Sequence, residues 1–127
     1  MKLKTHLKID NNLNGNIITL KEGYVKIELK TTPIMRADEQ GLIHGGFIFG
    51  AADFTAMATV NDPYVVLAKS ETKFLAPVKV DESVIFEGNV IQSDGKKFTV
   101  EVVGHVSEKK IFVGTFYTVV LDKHVLQ

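Results

Sequence analysis

The chain has 127 residues, 45% of them hydrophobic, and no cysteine. That length suits one domain with a real core, and that apolar content excludes a disordered chain. Fifteen basic and fifteen acidic side chains cancel, which argues against a general nucleic-acid or polyanion surface; without cysteine there is no disulfide framework, thiolate nucleophile or cysteine-based zinc site.

The first eight residues, MKLKTHLK, are basic but lack the apolar stretch of a signal segment. Residues 10–16 (DNNLNGN) are turn chemistry, with Asn14-Gly15 the expected tight turn. Residues 1–22 are therefore expected to form an N-terminal segment, and the core to run from about 24 to 121. Residues 24–32 alternate, with Val25, Ile27 and Leu29 on one face and Lys26, Glu28 and Lys30 on the other. That is the pattern of a half-buried strand. Pro33 closes it, and residues 34–43 read as an irregular connection.

Residues 47–60 (FIFGAADFTAMATV) follow, with Asp53, Thr55 and Thr59 as their only polar side chains. A helix apolar on nearly all sides is normally buried within its own protein, and Asn61-Asp62-Pro63 is its stop signal. His44 and Asp53 interrupt the apolar run, so it reads as a core helix rather than a membrane span. The remainder is strand: 64–74, ended by Pro77; 83–92; a hairpin signal at Asp94-Gly95; 97–106; a turn at 107–110; and 111–121.

Short turns make neighbours antiparallel. The expected architecture is therefore α+β, a curved antiparallel sheet of about five strands wrapped around one central helix, in a single domain over 1–127. A lone sheet of this kind keeps edges and exposed apolar faces, so a homodimer is expected, and dimers could pair into a tetramer. The chain is expected to be soluble and cytoplasmic, with no nucleic-acid or membrane partner.

Asp53 stands out within this frame. A carboxylate in an apolar helix carries a heavy desolvation cost unless it has partners or a task. A hydrogen bond to a backbone amide at a bend would account for it without any chemistry. The chain has no His-Glu-x-x-His pattern and no clustered ligands, so neither a metal nor a cofactor is expected. His6, His105 and His124 show no ligand-like spacing with acids.

The run Ile43-His44-Gly45-Gly46-Phe47-Ile48-Phe49-Gly50-Ala51-Ala52-Asp53 resembles the HGG…AD signature of hotdog-fold acyl-CoA thioesterases, in particular the phenylacetyl-CoA thioesterase branch. A second run, Lys73-Phe74-Leu75-Ala76-Pro77-Val78, is similar to the family's F-L-x-P segment. The resemblance covers roughly residues 24–121. It implies a dimer with two active sites at the subunit interface, the Gly45-Gly46 helix start of one copy facing the partner's Asp53. The first amides of a helix lack an intrahelical acceptor, and glycine lets a ligand approach them closely. Gly45 N–H, with Gly46 second, would then polarise a thioester carbonyl and hold the developing oxyanion.

The same resemblance makes Asp53 a general base on water or a nucleophile forming a mixed anhydride. It sets His44 beside the reacting carbonyl as a loop-shaping residue, its plain alternative being a loop histidine at a helix start. Coenzyme A carries phosphates, which makes Lys69, Lys73, Lys96 and Lys97 candidates. Lys73 is favoured because it precedes Phe74; the ordinary reading of each is a solvated strand-face lysine. Ser70 and Thr72 could hydrogen-bond the pantetheine, Phe74 belongs to the matched segment, and Asn14 could reach the acyl pocket. Phe47, Phe49, Phe54 and Met57 read as core, some of them lining an acyl tunnel.

Two other readings compete. Certain lipid-synthesis repressors share this fold, sense malonyl-CoA and are similar through the second half, including the closing Gly114-Thr115-Phe116 strand. A non-catalytic acyl-CoA sensor is therefore the alternative function. Those repressors carry a helix-turn-helix ahead of this domain, for which residues 1–22 are too few, and an Asn in place of Asp53. Hotdog dehydratases need a His paired with an acid in other patterns, such as His-Phe-Pro-Gly, where this chain has His44-Gly45-Gly46.

Overall fold

The computed structural model describes residues 1–127. Six strands form one antiparallel sheet: β1 (Asn16–Lys21), β2 (Tyr24–Lys30), β3 (Val65–Phe74), β4 (Ser83–Asp94), β5 (Lys97–Val106) and β6 (Lys109–Val120). Their order across the sheet is β1-β2-β4-β5-β6-β3. The sheet curls around the helix α2 (Gly45–Val60), which lies against β2, β4 and β5. This is the hotdog fold that the sequence led us to expect.

Two details differ from expectation. The sheet has six strands rather than about five, because residues 16–21, placed in the N-terminal segment by the sequence reading, pair with β2 around a turn at Glu22-Gly23. A bulge between Ile17 and Thr19 breaks the period of two that would have marked this strand. Asn14-Gly15 closes a short helix rather than forming a separate tight turn. Asn11–Asn14 form a single helical turn, α1, capped by Asp10 accepting from the Asn12 amide, and Gly15 ends it at φ +99°. At that glycine a Cβ would meet Ile27 Cγ2 at 2.5 Å.

The second half of α2 is closed on every side, residues 54–59 all being buried. Its two threonines satisfy themselves within the helix: Thr55 Oγ1 donates to the Ala51 carbonyl and Thr59 Oγ1 to the Thr55 carbonyl, both at 2.7 Å. Gly88 of β4 packs directly on them, so close that a Cβ there would stand 2.3 Å from Thr59 Oγ1. The helix ends on Asn61 in the left-handed region, its amide bonded to the Met57 carbonyl at 2.9 Å.

The Asn61 side chain then accepts from the Lys4 amide at 2.7 Å and donates to the Lys2 carbonyl at 2.9 Å. The N-terminal arm is thereby held across the helix end. Its Leu3 and Ile9 join Ile17 and Leu20 over a small core of Val25, Ile27, Phe54 and Ala58. The main core lies on the other side of α2, around Met57, Phe86, Phe112 and Phe116. β3 is an edge strand bonded only to β6. No helix is long and apolar enough to cross a membrane.

Candidate active site

The start of α2 is built to stay open. His44 occupies the N-cap position in extended backbone, its own amide bonded to the Met35 carbonyl at 2.9 Å, and its side chain makes no capping bond. The imidazole is exposed and edge-on to Phe47, with ring centroids 6.1 Å apart. Its Nε2 lies 3.1 Å from where a Cβ on Gly46 would stand. The amides of Gly45 and Gly46 have no intrahelical acceptor by helix geometry, and no loop or cap bond engages them. They are donors facing outward at the positive end of the helix.

Beside Gly45 lies a groove of about 340 Å³ walled by Ile43, Ile48, Phe74, Leu75, Val78 and Ile111, with no charged side chain in its lining. Phe74 forms its rim. That ring stands 3.6 Å from where a Cβ on Gly45 would be, and it meets Phe112 edge-on at 5.4 Å. The Phe74-Leu75-Ala76-Pro77 segment and the glycine pair, far apart in sequence, are thus brought to one place.

Asp53 sits elsewhere. Eight residues of helix separate it from Gly45, roughly 12 Å along the axis, and it does not line the groove. Its Oδ1 is buried with no hydrogen-bond partner, which rules out the structural explanation of a carboxylate satisfied by a backbone amide. Burial raises its pKa to about 6. Gly50 is one turn earlier on the same face, and Asn14 Oδ1 lies 3.3 Å from where a Cβ on Gly50 would stand. Asn14 therefore reaches the Asp53 face of the helix rather than the groove.

The β3 candidates divide between the two faces of the sheet. Ser70, Thr72 and Phe74 pair with Phe116, Gly114 and Phe112 on the side toward α2, and Lys73, one residue out of phase, faces the other way. Lys69 is also on the outer face, its Nζ 5.2 Å from the Tyr117 ring centroid, and Tyr117 donates to Glu71 at 2.9 Å. Lys96 is ion-paired with Asp122. It and Lys97 lie at the β4–β5 turn, where Lys97 aligns with Val119 and through it with Val66 at the start of β3. Gly45 packs on Phe74 at the end of β3, roughly 26 Å away along the strand. Sequence reading missed the groove wall at Ile43 and Ile111; the Phe74-Leu75-Ala76-Pro77 run was the one signal pointing to it.

Residues 40–112, more than half of the chain, match the Thioesterase superfamily. The chain belongs to that family. Its structure superposes on that of PH1136, an uncharacterized protein from Pyrococcus horikoshii, with a TM-score of 0.98 and 45% identity, covering 100% of this chain and 98% of the other. A methylthioribose-1-phosphate isomerase of Aquifex aeolicus is 47% identical over 121 residues, 95% of this chain and 26% of the isomerase. The transcription factor FapR of Caldanaerobacter subterraneus is 28% identical over 127 residues, 99% of this chain and 62% of the factor. The chain thus spans about a quarter of the isomerase and less than two thirds of the transcription factor.

Proposed function

We propose that the protein hydrolyses acyl-CoA thioesters to a free acid and coenzyme A, and does so as a homodimer, in the cytoplasm. The observation that carries this reading is the buried, unpartnered Asp53 Oδ1 on the same helix whose first glycine amides are free. Within one chain these groups are too far apart to act on one carbonyl, roughly 12 Å by helix rise. A second copy, docked along the unpaired β3 edge, supplies the missing partner: the thioester sits between Gly45 of one chain and the partner's Asp53.

In this reading Gly45 N–H, helped by Gly46, donates to the thioester oxygen and holds its charge as the tetrahedral intermediate forms. Asp53 removes a proton from the attacking water, or adds to the carbonyl itself to give an anhydride that water then opens. In both routes the C–S bond breaks and the coenzyme A thiolate leaves. A carboxyl with a pKa near 6 suits the work of a base, since it is ionised at neutral pH yet more basic than an ordinary aspartate. Ser70 and Thr72 bind the pantetheine, Lys73 takes up a phosphate, and His44 shapes the loop.

The test is thiol release from short, long and phenylacetyl-CoA substrates by wild type and Asp53→Asn. We expect turnover by wild type and a loss of about a thousandfold or more in the variant. Similarity to FapR over 99% of the chain favours a second reading, an acyl-CoA-binding regulatory module. Binding by calorimetry with no turnover in either protein would establish that one instead.

A further inference from the structure

The groove beside Gly45 specifies the acyl group. We propose that it receives an apolar, methyl- or aryl-ended acyl chain and rejects acyl groups ending in a carboxylate. This rests on the thioesterase reading and deepens it. A thioester whose carbonyl oxygen accepts from Gly45 N–H must send either its acyl arm or its pantetheine arm into the adjacent groove, and the wall chooses between them. Pantetheine carries two amides and a hydroxyl, each of which needs a hydrogen-bond partner when taken out of water.

The groove offers no side chain of that kind. Its side chains are hydrocarbon throughout: Ile43, Ile48, Phe74, Leu75, Val78 and Ile111 form the walls. Three of the wall's backbone amides are committed, Ile43 to the Val78 carbonyl at 2.9 Å and Leu75 and Ala76 to the Ile111 carbonyl at 2.8 and 3.4 Å. Pro77 has no amide hydrogen to give. A chain of methylenes or a phenyl ring loses nothing in such a slot. A pantetheine arm finds no side-chain partner there for its two amides and its hydroxyl.

The same wall bears on the far end of the acyl group. A terminal carboxylate would lie against hydrocarbon side chains, losing part of its water with no cation in the lining to receive it. Arg36, the only arginine in the chain, stands outside that lining on the helix-entry loop, its Nε donating to the Pro33 carbonyl at 3.1 Å, and Lys73, Lys79 and Lys110 adjoin wall residues without entering the lining. Succinyl, glutaryl and adipoyl thioesters are therefore poor substrates where butyryl, hexanoyl and phenylacetyl thioesters are good ones.

The experiment compares kcat/KM for butyryl- with succinyl-CoA and for hexanoyl- with adipoyl-CoA, using full-length wild type, Leu75→Lys and Ala76→Phe, with light scattering on each. Leu75 is 48% exposed on the rim, so a lysine there is compatible with folding. We expect wild type to prefer the methyl-ended partner by about a hundredfold, and Leu75→Lys to narrow that ratio at least tenfold. Ala76→Phe shortens the preferred chain, each excluded methylene lowering kcat/KM about fourfold, with the oligomeric state unchanged.

Equal rates on succinyl- and butyryl-CoA overturn the proposal. So does an Ala76→Phe variant that keeps the wild-type chain-length profile while its oligomeric state changes, because a second copy rather than the acyl group then fills the groove. If wild type turns over none of the thioesters, the thioesterase reading falls by itself; calorimetry with butyryl- and succinyl-CoA still decides the groove, equal affinity refuting it and a preference for butyryl supporting it. If Ala76→Phe fails to fold, the wild-type ratio and Leu75→Lys decide.

Discussion

The two ends of α2 are built on opposite principles. From Phe54 to Thr59 every residue is buried, both threonine hydroxyls are bonded inside the helix, and Gly88 lets the sheet come into direct contact. From Gly45 to Gly50 only Ile48 is fully buried, two amides are free, and a groove runs alongside. The closed end carries stability because it leaves nothing unsatisfied. The open end keeps two amides free of protein partners and open to solvent, and Asp53, at the junction, keeps a buried unsatisfied acceptor. Only the buried oxygen lowers stability until a partner completes it, while the amides are donors that a ligand can take from water.

The sharpest way to break this contrast is pH. Asp53 must be ionised to act, so kcat/KM of wild type should fall close to tenfold per pH unit below about 6, a pKa raised by burial. A flat profile down to about pH 5 would remove Asp53 from the chemistry. Next in size is one substitution made at each end. Gly88→Ala sets a Cβ 2.3 Å from Thr59 Oγ1 and should cost about 2–3 kcal/mol in urea unfolding. Adding Thr59→Ala should recover part of that loss, a coupling read by a double-mutant cycle. Gly45→Ala brings only an ordinary 3.6 Å contact with Phe74. It should change stability by less than about 1 kcal/mol while lowering kcat/KM roughly tenfold, because its methyl crowds the donor. Equal stability losses at the two glycines would show the ends to be alike.

A smaller effect concerns Asp53 and stability. Its folded pKa, about 6, lies above the ordinary 3.8, so the folded state holds its proton more tightly. The contribution to stability is full below 3.8 and is lost as pH rises through about 6. Asp53→Asn should therefore be more stable than wild type by about 1–2 kcal/mol at pH 8, and the advantage should vanish near pH 4. Denaturant melts at both pH values check this. The smallest effect is in the N-terminal arm. Burial holds the His6 imidazole below its usual 6.5, so folding loses stability as pH falls through that value. Hydrogen exchange in residues 3–9, corrected for intrinsic rates, should lose protection a few-fold by about pH 5.

Much of this was legible in the linear sequence, and the parts that were not share a cause. The run 47–60 announces a buried helix because its apolar residues leave no polar face, and Asn61-Asp62-Pro63 announces its end. β2 and β5 announce themselves by alternation, and Asp94-Gly95 marks the β4–β5 turn. β1 was hidden by its bulge, and α1 by a run of asparagines that suits a turn as well as a helical turn. His44, Gly45, Gly46 and Asp53 could be nominated from their spacing and family likeness. Their arrangement could not, since spacing along a chain says nothing of what stands opposite.

Periodicity and turn chemistry are local, so the sequence by itself determined the class of fold, the buried helix and the odd carboxylate within it. The tertiary structure alone decided that Asp53 has no partner for Oδ1, that Phe74 lies over Gly45, and that Ile43, Leu75 and Ile111 wall one groove. It also separated Lys73 from Ser70 and Thr72 by a single step of strand phase, and placed Lys96 and Lys97 at the far end of the sheet. Each of these is a long-range contact set by register and helix packing, and register follows from the whole sheet rather than from any segment of it.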